Sequence, residues 1–282
     1  MNRTTAENRV SSPAALYPSL RGVAGVLLFS SIPLIIAGFL SERTLTKWPL
    51  LFGELTLLLP AYLHLRHQKL AARTVFRLRP VSARVVAVTL ALGLAITVLA
   101  FEVDCLVSVV LPFPEQWEAI LQRTLQADSA MDWVIMLLAA VLFAGVFEEM
   151  LFRGFVQNAF EQRHPPAYAI FITAILFGAV HLNPWWFLQF IFIAFFLGIL
   201  AWKSDSIIPG AIVHAQNNLT ALLLNNLTQD ATNPLRQWHG HVPPLLLLAA
   251  VLVLGAGLRL FFRYCEEETP IPTLLNTPLS SR

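Results

Sequence analysis

Charge is what this chain has least of. Only 13% of its 282 residues are Asp, Glu, Lys or Arg, while 56% are hydrophobic; a soluble globular protein carries about 25% charged residues. That balance excludes a soluble domain and specifies an all-helical polytopic membrane protein. Cysteine is almost missing. Cys105 and Cys265 lie far apart and match no metal or redox spacing, so neither a disulfide nor a catalytic thiol is indicated. There is no His-Glu-x-x-His, no internal repeat, no low-complexity tract and no separate soluble domain. Residues 1–19 are polar and contain no short apolar core with a cleavage site, so no cleaved signal peptide is read and the first helix is expected to direct insertion. The net charge of +2 implies no nucleic-acid partner, because the basic residues sort by topology rather than onto one face.

What is present is a series of apolar runs of about 20 residues, the length that about 30 Å of hydrocarbon requires. They cover 23–40, 48–65, 85–106, 133–155, 167–182, 185–202, 207–227 and 244–262. The expectation is therefore about eight transmembrane helices in one bundle. A polar N-terminus (1–22) precedes the membrane domain (23–262), and a tail (263–282) follows it. Between the third and fourth runs, Trp117, Ile120, Leu121 and Leu125 recur at helical spacing, which predicts an interfacial amphipathic helix.

Lys and Arg set the orientation. With the N-terminus inside, one side collects Arg3, Arg9, Arg21, Arg66, Lys69, Arg73, Arg77, Arg79, Arg84, Arg163, Lys203, Arg259, Arg263 and Arg282. The other side holds only Arg43, Lys47, Arg123 and Arg236. The excess places both termini in the cytoplasm of a multi-pass cell membrane protein. The basic run from Arg66 to Arg84 also fits attraction to anionic headgroups, though topology alone explains it.

Against this apolar background, Glu148-Glu149-Met150-Leu151-Phe152-Arg153 stands out. Charges at membrane depth cost from about 3 kcal/mol upward and usually face a bundle interior or a wet cavity. On an α-helix, Glu149 and Arg153 fall on one face in the favourable acid-before-base order. Glu148 is turned about 100° away, with no base at +3 or +4. Two readings remain open: a buried ion pair with a stray acid, or an ion pair that leaves Glu148 free for chemistry. His181 ends the fifth run, and His214 and Asn218 lie four apart on the seventh. Each taken singly fits interhelical hydrogen bonding, as do Asn217, Asn225 and Asn226. Together they offer a base for water and donors for an oxyanion. Glu54, Glu102 and Asp104 carry no motif and read as structural. Trp238-His239-Gly240-His241 lies in an outer loop and carries little weight.

In that order, Glu148-Glu149-x-x-x-Arg153, Phe177-x-x-x-His181 and His214-x-x-x-Asn218 resemble the three motifs of the CPBP family, the CAAX-protease and bacteriocin-processing or abortive-infection group. The resemblance covers about 131–227. It implies an intramembrane endopeptidase acting on membrane-associated peptides or protein tails, with a catalytic cavity inside the bundle. Glu148 and His181 would activate water, His214 and Asn218 would stabilise the oxyanion, and Glu149 with Arg153 would be the structural pair. No cofactor is favoured. A zinc-dependent version would use Glu148, His181 and His214 as ligands, although no acid lies beside either histidine in sequence to orient it. A non-catalytic scaffold, an immunity protein or a transporter is the alternative from another class. One difficulty is depth. His214 lies about 10 Å along its helix, whereas His181 lies about 20 Å along its own, nearer the far side.

Overall fold

The computed structural model describes residues 17–228 and 233–268, so most of the polar N-terminus and the end of the tail lie outside the described residues. Every regular element among them is helical. Six helices are long and apolar enough to cross a membrane: Leu20–Thr44, Trp48–His67, Ala83–Val110, Ala130–Glu161, Phe187–Ser204 and Pro244–Glu268. The other two runs also form helices but do not meet that measure. Pro166–Val180 has 15 residues, and Ile208–Leu227 carries His214 and a series of amides.

Helix α1 (Leu20–Thr44) starts where the Ser19 side chain accepts a hydrogen bond from Gly22 N at 3.1 Å, satisfying one of its orphan donors. The second span is broken into α2 (Trp48–Leu57) and α3 (Leu59–His67), with Pro60 in the first turn of α3. The break leaves carbonyls without helical partners, and Ser30 Oγ donates to Leu57 O at 2.8 Å. A short turn, α4 (Ala72–Val75), leads to α5 (Ala83–Val110), which begins at a Ser82 cap.

The amphipathic segment forms α6 (Glu115–Leu125). Two residues tie down its end: Lys47 Nζ donates to Arg123 O and Thr124 O, and Asn226 Nδ2 donates to Leu125 O. Burial pushes the Lys47 amine below its usual range, with Asp132 and Asp128 opposing.

The fourth span opens as α7 (Ala130–Met136), behind a Ser129–Asp132 capping box. It then winds as π-helix over Leu137–Glu148 and Met150–Val156 before closing as α8 (Gln157–Glu161). This departs from the α-helix expected there. π winding reaches back five residues per hydrogen bond and usually occurs as single turns at functional sites. The wider winding turns successive residues by somewhat less than the roughly 100° of an α-helix, so Glu148 and Glu149 still point apart. What separates the two acids further is the partners they meet.

Helices α9 (Pro166–Val180) and α10 (Phe187–Ser204) form a hairpin, followed by α11 (Ile208–Leu227) and α12 (Pro244–Glu268). One apolar cluster joins α1, α3, α9 and the end of the fourth span; another joins α5, α10, α11 and α12. Large apolar side chains such as Leu28, Phe29, Ile36, Leu245 and Leu252 face outward, the reverse of a soluble protein and suited to lipid.

At the base of the bundle, Arg77 is buried in a left-handed backbone conformation (φ 51°). Its guanidinium pairs with Glu161, lies 3.3 Å from Asp205 Oδ1, and donates to Arg153 O at 3.3 Å. Gly154 allows this closeness, because a Cβ there would lie 2.7 Å from Phe76 Cα.

Candidate active site

His181 reaches the other motif residues despite its distance along α9. α9 ends at Val180, His181 caps it, and Leu182 turns the chain through a left-handed conformation (φ 51°). His181 thus sits at the tip of the hairpin and is held there by several contacts. Asn183 Oδ1 accepts from the N–H groups of Trp185 and Trp186, both at 3.1 Å, which shapes the entry to α10. Both tryptophan rings pack on Phe113, just ahead of α6.

From there, His181 Nε2 lies 4.0 Å from Glu148 Oε2, and His214 Nε2 approaches the same oxygen at 3.9 Å. That oxygen is buried and has no hydrogen-bond partner. The other ring nitrogens are both engaged. His181 Nδ1 lies 2.7 Å from Phe177 O, which can only accept, so this nitrogen carries the proton and Nε2 keeps its lone pair in the neutral ring. His214 Nδ1 lies 3.0 Å from Glu149 Oε1, which orients that ring in the same way.

Glu149 therefore does two things. Its Oε1 also lies 2.7 Å from Arg153 Nη1, and both residues are fully buried. Arg153 continues to Ala194 O at 3.2 Å, with its guanidinium over the Phe177 ring. The sequence reading had Glu149 paired with Arg153 alone; its bond to His214 joins residues 65 apart and leaves no local signal. Gly210 is the other residue missed. A Cβ there would stand 2.6 Å from Glu149 Oε2, so the α11 backbone reaches the carboxylate only because this position is glycine.

Asn218 is not joined to this group by any hydrogen bond. Its Nδ2 donates to Ala140 O at 2.8 Å, and Asn217 donates to its Oδ1 at 3.4 Å. One Nδ2 proton is left over. Glu102 and Asp104 hold the loop that leads into α12: Glu102 takes His241 Nδ1 and Val242 N, and Asp104 takes Arg236. Glu54 differs from both. It lines a cavity of about 270 Å³ together with Glu148 and His181, with Leu27, Leu34 and Leu57 among its apolar walls.

The spacing at Glu148 bears on what it can hold. Tetrahedral zinc with bonds of about 2.0–2.2 Å needs donor atoms about 3.4 Å apart. The donors here stand wider, and among the described residues no group of three meets metal-ligand geometry. Polar atoms about 4 Å apart are instead bridged well by one water, at ordinary hydrogen-bond distance from each.

Residues 130–220 match the family model of type II CAAX prenyl endopeptidases, Rce1-like. No curated protein and no solved structure matches the chain. The Rce1-like segment takes in the fourth span, the hairpin and most of α11, so it contains Glu148, Glu149, Arg153, His181, His214 and Asn218. Helices α1 and α2, which supply one wall of the cavity, lie outside it. Over that segment the chain is similar to CAAX-type endopeptidases, and its apolar helices are those of a multi-pass membrane protein.

Proposed function

We propose that the chain is an intramembrane endopeptidase that hydrolyses a peptide bond in a membrane-associated peptide or protein tail, with Glu148 as general base. The observation that carries this reading is the facing of two imidazole Nε2 atoms toward one unpartnered carboxylate oxygen. A water seated there donates to Glu148 Oε2 and to His181 Nε2. As its oxygen attacks the peptide carbonyl, Glu148 takes the proton and later passes it to the departing amine. To serve the oxyanion, His214 must carry both protons, and Glu149 lies at Nδ1 to support that state. Asn218 offers its remaining N–H one turn away along α11. Glu149 with Arg153 is the structural pair beneath. The site lies in a bundle of about eight spans with both termini cytoplasmic, and its partners are the bilayer and the substrate peptide, with no nucleic acid.

One observation favours a zinc-dependent version. Both Nδ1 atoms are held by acceptors, as in metal-bound imidazoles. The wider spacing favours water. The two separate experimentally through metal content and turnover, measured on the same purified variants, Glu148→Gln, His181→Ala, His214→Ala and Asn218→Ala. The expected result is lost turnover in Glu148→Gln with the fold retained, and turnover lowered by about 100- to 1000-fold in Asn218→Ala. Stoichiometric metal lost in step with activity across Glu148→Gln, His181→Ala and His214→Ala would replace the glutamate base by zinc. Unchanged turnover in Glu148→Gln would remove the catalytic reading and leave a scaffold or transporter.

A further inference from the structure

Among the buried and half-buried acids of the described residues, Glu54 and Glu148 alone have no donor within hydrogen-bond distance. Both line the same cavity. Glu148 has its histidines nearby; Glu54 has nothing. The two serine hydroxyls of the wall are spent on backbone carbonyls, Ser30 on Leu57 O and Ser31 on Leu27 O, both at 2.8 Å. No lysine or arginine lines the cavity. A carboxyl in an apolar wall that stabilises no part of the fold is costly unless something entering the cavity supplies the missing donors. Glu54 is also outside the Rce1-like segment, so the motif chemistry gives it no role.

We propose that Glu54 is a specificity residue that selects peptides with a lysine or arginine beside the scissile bond. This rests on the endopeptidase reading. A long basic side chain lays its methylenes along the leucine wall and brings its cationic head to Glu54, giving charge-assisted hydrogen bonds in place of none. An acidic side chain in the same place finds two carboxyl groups and no cation to pair with, and is disfavoured. Selection by an attractive pair together with a repulsive one discriminates more strongly than either alone.

The test uses the full-length protein in neutral detergent and a fluorescent farnesylated decapeptide, with lysine, norleucine or glutamate scanned through each position. Binding is read by anisotropy, and cutting of the same peptides is read in parallel. At one position or more, the wild type should bind the lysine form at least about tenfold more tightly than the glutamate form. In Glu54→Gln the ratio should fall to within about threefold, while Glu54→Asp keeps its direction. Equal binding by the wild type at every position, including no binding at all, overturns the inference whether or not Glu54→Gln folds. So does an undiminished ratio in Glu54→Gln. A ratio that depends on Glu54 without cutting of any peptide counts against the endopeptidase reading alone.

Discussion

At the scale of single residues, the two adjacent glutamates carry different burdens. Glu149 neutralises a fully buried arginine and orients an imidazole, so Glu149→Ala leaves Arg153 unpaired in the interior. Breaking a buried pair in this way costs about 3–5 kcal/mol. Glu148→Ala removes a side chain with no hydrogen bond to lose. Thermal unfolding in detergent should therefore show a clearly lower midpoint for Glu149→Ala than for Glu148→Ala, and equal midpoints would refute the division. Gly210→Ala tests the same acid from the other side. Its methyl group displaces a carboxylate held by Arg153 and His214, so turnover should drop more than stability. The motif residues themselves were legible in the sequence, because charge is so rare in these spans. The acceptor at His214 was not, because it comes from a different helix and only packing joins them.

At the scale of elements, composition gave the positions of the helices but not their winding. Apolar length marked the spans, but the break at Pro60 was not read, because the second run is apolar on both sides of it, and neither was the Ser82 cap. The π winding of the fourth span left no mark, since Leu137 to Phe147 is apolar throughout and fits either period. The fifth run, 167–182, was already short in the sequence, and its helix stops at Val180 with Leu182 in the turn. Where the fourth span ends, its backbone is pressed against the loop at Phe76. Gly154→Val forces a branched side chain into backbone atoms that cannot move aside. The expected destabilisation is about 1–3 kcal/mol, read as a lower unfolding midpoint, and an unchanged midpoint would mean that the loop is not held there.

On the scale of the whole molecule, the basic cluster and the acid pairs divide the chain into two ends. Arg73 and Lys203 lie toward the end held by Arg77, Glu161 and Asp205, and Gln122 lies on α6 at the other. Single cysteines at Arg73 and Lys203 should label from the cytoplasm and one at Gln122 from the opposite side; cytoplasmic labelling of Gln122 would reverse the orientation. The hairpin that carries His181 has a further consequence, for the lipid. Helix α9 has 15 residues, about 22 Å of rise, and presents Tyr168 and Phe171 outward. The hydrocarbon is about 30 Å thick, and a short helix is matched by thinning of the bilayer beside it. The leaflet beside this face is expected to thin toward the hairpin tip. Such thinning would shorten the stretch of oil between bulk water and the cavity at Glu148.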